Sequence, residues 1–76
     1  MLACFEKRDP ARNQARFYRL GLTPTLFGDW ALIREWGRIG RPGRRKTDYH
    51  PDQVAAEKMM ARLVRRRQRH GYQARP

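Results

Sequence analysis

From Pro51 to His70, apolar side chains recur only where they share one face of a helix. At 100° per residue Ala56, Met59, Met60, Leu63 and Val64 form one stripe, with Lys58, Arg62, Arg65 and Arg69 opposite. Pro51 suits a first helical position, Asp52 and Gln53 fit the positive helix start, and Gly71 is the expected stop. This single stripe constrains the fold most, because a one-sided helix must lie on something, and the rest of the chain reads as strands. A chain of 76 residues buries only about 60% of the surface its unfolded form exposes, so one thin core is the most it can build. Arg67 continues the stripe into the last turn, where its stem is expected along the sheet and its charged head at the sheet edge.

Residues 2–7 read as a short strand, followed by a polar turn through Asp9, Pro10 and Asn13. In residues 17–23, Tyr18, Leu20 and Leu22 alternate with Phe17, Arg19, Gly21 and Thr23, the pattern of a strand with one buried face. Pro24 to Asp29 supplies a hairpin loop. Residues 30–40 form a central strand with Trp30, Leu32, Arg34, Trp36 and Arg38 in one phase and Ala31, Ile33, Glu35 and Ile39 in the other. Both phases carry apolar groups, and a bulge at Gly37 could switch between them. After a turn at Arg41-Pro42-Gly43, residues 44–50 make a fourth strand. The expected fold is α+β: an antiparallel sheet of about four strands packed against one long C-terminal helix. Residues 1–73 form a single domain in this reading, and 74–76 a disordered tail.

Eighteen basic residues face seven acidic ones, a net charge of +11, and fifteen of the eighteen are arginine. Self-repulsion at that density costs stability, and a polyanionic partner explains it economically. Arginine suits phosphate, because its planar fork holds two oxygens where an ammonium acts as a point charge. No run of about 18 apolar residues exists and the N-terminus lacks a signal-peptide core, so a cytoplasmic protein without membrane contact is expected. Cys4 has no second cysteine to pair with. Cys4, His50 and His70 offer no zinc-ligand pairing, and no cofactor is implied. A monomer folded without metal or disulfide is expected.

Trp36-Gly37-Arg38-Ile39-Gly40 is set among further landmarks. Phe17-Tyr18-Arg19-Leu20 forms an aromatic-rich strand, and Trp30 stands six residues before Trp36. Ala56, Met60 and Leu63 line the helix, a basic residue occupies position 67, and Gly71-Tyr72 closes the pattern. Over residues 3–73 this resembles the WGR domain, and in particular the short stand-alone WGR proteins of bacteria. WGR domains are best known as a non-catalytic part of poly(ADP-ribose) polymerases, where they bind near the end of a broken DNA strand. The resemblance implies that Trp36 packs on a terminal sugar and that Arg38 reaches the backbone. The 76 residues show no zinc finger, helical regulatory domain or transferase, so Arg38 is not expected to relay a signal within them.

The residues alone agree. An indole at a strand end, beside a glycine that admits a close backbone, makes a platform for a sugar or base. Trp30 is assigned to the core, and Gly37 and Gly40 more to backbone geometry than to ligand contact. Around Trp36 cluster Arg34, Arg38, Arg41, Arg44, Arg45 and Lys46, with Glu35 the single acid. The helix-end arginines, Arg67 among them, divide between stabilising the helix terminus and binding. The chain has no serine, no recognisable carboxylate pair and no phosphate loop, so no enzyme is expected. The expected function is therefore a non-catalytic nucleic-acid module, DNA being the expected partner, that recognises backbone and a strand end or nick without reading sequence. The alternative is a protein-interaction adaptor, with Trp36 as anchor and the basic surface steering an acidic partner.

Overall fold

A computed structural model describes residues 1–76. The chain runs β1 (Leu2–Asp9), a 3-10 turn (Pro10–Arg12), β2 (Gln14–Pro24), β3 (Trp30–Arg38), β4 (Arg44–His50), α1 (Gln53–Arg69) and β5 (Gln73–Arg75). The strands form one antiparallel sheet in the order β4-β3-β2-β1-β5. The architecture is α+β, as expected, with five strands where about four were read. The fifth joins Gln73 to Ala74 and Arg75 of the stretch read as tail, pairing them with Glu6, Phe5 and Cys4. Three polar or small residues carry no strand pattern, and their place is set by the preceding helix stop.

That stop is a Schellman motif. Gly71 takes φ +86°, its N–H donates to the Gln68 carbonyl, and the Tyr72 N–H donates to the Arg67 carbonyl. The chain thereby reverses onto the outer edge of β1. At the other end α1 begins two residues later than Pro51 suggested. Asp52 is the cap, and its carboxylate accepts from the Ala55 N–H at 2.8 Å. Pro51 lies outside the helix, where its fixed φ aims the chain into the cap.

Tyr18, Leu20 and Leu22 from β2, Leu32 from β3 and Phe5 from β1 meet Ala56, Met60 and Leu63 of α1 in the core. These strand residues share the sheet face beneath the helix, as their cross-strand pairing requires. The bulge considered at Gly37 is absent: β2 and β3 pair without interruption from Arg16 with Arg38 to Pro24 with Trp30. The phase of Leu32 and Trp36 therefore holds along all of β3, which ends at Arg38 rather than Gly40. Trp30 and Trp36 both pack half-buried against the core. No helix is long and apolar enough to cross a membrane.

Candidate nucleic-acid interface

Near the C-terminal end of β3 an aromatic cluster holds a charged side chain. Tyr18 and Trp36 are paired across β2 and β3, and their rings stack at 6.4 Å with 27° between planes. Tyr72, brought back by the helix stop, meets Tyr18 edge-on at 6.3 Å. The Arg67 guanidinium lies 4.4 Å from the centre of the Tyr18 ring and 5.6 Å from that of Tyr72. The negative ring faces hold the cation, an attraction worth about 0.5–2 kcal/mol. Arg67 is thus half-buried over the central strand of the sheet, and not at its edge as expected. Its Nε is buried and has no acceptor from the protein.

This cluster forms one wall of a cleft of about 580 Å³. The opposite wall is the turn between β1 and β2, where Asn13 takes the left-handed conformation at φ 53°. Arg38 ties the two together, donating to the Asn13 carbonyl at 3.2 Å and to its side-chain oxygen at 3.4 Å. Arg12, Asn13, Gln14, Ala15, Arg16, Trp36, Gly37, Arg38, Arg67 and Tyr72 line the cleft. Four are arginines and none is acidic. Arg12 approaches Asp9 at 3.7 Å outside the lining, whereas Arg16, Arg38 and Arg67 have no carboxylate partner in the protein, so the lining keeps a net positive charge that suits an anionic ligand.

Of the residues singled out from the sequence, Trp36, Gly37, Arg38 and Arg67 come together here. The others disperse. Arg34 stays near, lining a small neighbouring cavity with Tyr18, Trp36 and Arg67, but is committed to Asp48 at 2.7 Å, while Arg44, paired with Trp36 across β3 and β4, and Lys46 remain exposed. Arg45 projects from the other face and pairs with Glu35, which Arg19 also approaches. Arg41 lines a groove on that far face with Cys4, Phe17 and Ile39. The turn at 41–43 therefore does not present one cluster beside Trp36, because neighbouring strand residues point to opposite sides of the sheet. Conversely, Arg12, Asn13, Gln14 and Arg16 line the cleft although the sequence pattern assigns Asn13 only to a turn and the other three to no site. The signal was an asparagine turn flanked by arginines, which gains meaning only once β2 is placed beside β3.

Gly37 shows why the motif needs a glycine between its two large residues. A side chain there would point away from Trp36 and meet the Gly43 Cα at 2.7 Å. Gly43, at φ +74°, is equally confined: a Cβ on it would stand 2.5 Å from the Trp36 carbonyl and 2.9 Å from the Phe17 ring. The turn after β3 is thus folded tightly onto the strand. Gly43→Val is expected to cost about 1–3 kcal/mol through strain and overpacking. Thermal melting checks this, and an unchanged melting temperature contradicts the tight turn.

The Trp-Gly-Arg strand, read as central from the sequence, is next to the edge strand β4, with β2 at the centre; with the arginine-lined cleft at its end it defines the class as a WGR-type α+β domain. The WGR domain family matches residues 1–76, and the chain belongs to it. An uncharacterized protein of Sinorhizobium fredii, y4dW, is 39% identical over 71 residues, which cover 93% of this chain and 35% of that protein. A crystal structure of a Bacteroides fragilis protein matches with a TM-score of 0.84 at 20% identity, covering all of this chain and 20% of the other. The second likeness is one of fold. The chain spans about a third of the length of the first protein and a fifth of the second.

Proposed function

We propose that this domain binds nucleic acid through its sugar-phosphate backbone, with a DNA strand end or nick as the preferred substrate, and performs no catalysis in doing so. The observation that carries this reading is the cleft in which Arg16, Arg38 and Arg67, none paired with a carboxylate, converge with Arg12 beside the half-buried indole of Trp36. Family membership supports it, since WGR domains bind nucleic acid in poly(ADP-ribose) polymerases. In this reading the arginines hold phosphates and Trp36 takes the sugar or base that an end leaves uncovered. Arg38 does both jobs of a positioning group, fixing the Asn13 turn while its remaining N–H donors face the ligand. Arg34 serves the site from beside Trp36 and Arg67, held in place by Asp48, and Gly37 through the close turn. Arg44 and Lys46 extend the positive surface along β4, whereas Arg41 and Arg45 contribute charge from the far face.

Salt titration of duplex binding tests the reading. If the four cleft arginines each displace one condensed counterion, the log–log slope is about −3.6, and affinity falls about twelvefold for each doubling of salt. A flat response contradicts phosphate binding and turns Trp36 into an anchor for a protein partner.

A further inference from the structure

The far edge of the sheet is a seven-residue strand, Arg44-Arg45-Lys46-Thr47-Asp48-Tyr49-His50, and nothing in the chain covers it. The opposite edge is only three residues long. Half of the backbone N–H and C=O groups of β4 point outward, as on any edge, ready to pair with another strand. Positive charge on an edge strand ordinarily prevents this, because like charges fall opposite one another.

Here one register escapes that block. Laid antiparallel to a copy of itself and centred on Thr47, β4 sets Lys46 opposite Asp48 of the second copy, and Asp48 opposite its Lys46. On the other face Arg45 meets Tyr49, a cation against an exposed ring. Thr47 meets Thr47, and Arg44 meets His50. Both carboxylate–ammonium pairs lie on the helix side, where Arg34 already holds Asp48 in an extended-strand position. A shift of two residues sets Lys46 opposite Lys46 in one direction, with Arg44 now opposite Asp48, and Asp48 opposite Asp48 in the other, so the register centred on Thr47 is the one without a like-charge pair.

We propose that two copies of this chain associate through β4, antiparallel and centred on Thr47, into a continuous ten-stranded sheet. The monomer expected from the sequence followed from the core alone, which needs no second chain; the edge supplies a surface that the core does not. A two-fold axis through Thr47 carries both helices on one face and leaves each basic cleft open. It also sets the two Trp36 residues about 25 Å apart at diagonally opposite ends of the joined sheet, given strand spacings of about 4.8 Å and a rise of about 3.3 Å per residue. If the cleft holds a strand end, as proposed above, the pair holds two at once. The association itself does not depend on that reading.

The test uses the full chain and single cysteines in a Cys4→Ser background. Thr47→Cys lies on the axis, within disulfide reach of its own copy, whereas Lys46→Cys and Arg45→Cys each lie more than about 7 Å from theirs. Under mild oxidation Thr47→Cys is expected to form a covalent dimer at least about tenfold faster than either neighbour. Sedimentation of the unaltered chain is expected to rise above 9.1 kDa with concentration. Lys46→Asp places two carboxylates opposite Asp48 and is expected to raise the concentration of half-association about tenfold. Equal crosslinking at the three positions, or a constant monomer mass into the millimolar range, overturns the proposal and leaves the edge for a different strand. Neither readout requires DNA, so failure here is separate from failure of the nucleic-acid reading.

Discussion

Reversing Arg12, Arg16 and Arg38 to glutamate together is expected to lower affinity for DNA ends about a thousandfold. Each is a charge-assisted phosphate contact in the proposed mode, and losing one costs about 1.5 kcal/mol or more before the repulsion of the new carboxylate is counted. Reversing Arg41 and Arg45 instead is expected to do far less. Arg41 lines the groove on the far face, and Arg45 already faces Glu35 at 3.5 Å. Three reversals remove half as much charge again as two, so only a loss far out of proportion to that ratio separates a site from a general positive field. Circular dichroism of both variants controls for folding, with Arg38 the position to watch because it ties down Asn13. Equal losses in the two variants mean that the cleft has no privileged role.

Trp36→Ala is expected to weaken binding to DNA ends by about 5- to 150-fold while leaving closed circular DNA little changed, since a stacked residue is worth about 1–3 kcal/mol. An indole packs only on a sugar or base without a neighbour over it, which an end or nick provides and a continuous duplex does not. Arg44→Ala, on the exposed strand opposite Trp36, is expected to weaken both substrates alike, because phosphates are present on each. Trp36 also stacks on Tyr18, so thermal melting must accompany the binding curves. A folded Trp36→Ala chain that still separates ends from circles as well as the parent shows Trp36 to be a packing residue.

The helix and β2 were legible because each repeats at its own period, Ala56, Met60 and Leu63 at helical spacing and Tyr18, Leu20 and Leu22 at alternate positions, while β1, β3 and β4 were legible from the turns that bound them. Trp36, Arg38 and Arg67 were legible from the motif and its spacing. The rest depends on contacts between distant segments. β5 has no apolar pattern and exists because the left-handed Gly71 turns Tyr72 back toward Tyr18. Arg12 and Arg16 matter because β2 lies against β3, which no local window reveals. The cluster read in residues 34–46 was scattered by strand alternation, which sends Arg45 and Arg44 to opposite faces of one sheet. Arg67 was placed at the sheet edge by its length, but two aromatic rings hold it over the centre.

The contact between Gly37 and Gly43 bears on how such sequences diverge. The three motif letters face two ways: tryptophan and arginine toward the cleft, glycine toward the turn that closes over it. Gly37 excludes a side chain while the Gly43 backbone lies against it, and Gly43 while it lies against the Trp36 carbonyl and the Phe17 ring, so one close turn constrains both positions. Among descendants of this chain, a larger residue at 37 should therefore be inherited only with a lengthened or re-routed turn at 41–43. The six-residue interval between the two glycines should then be as persistent as the motif itself, and its length should change in the same lineages that lose the central glycine.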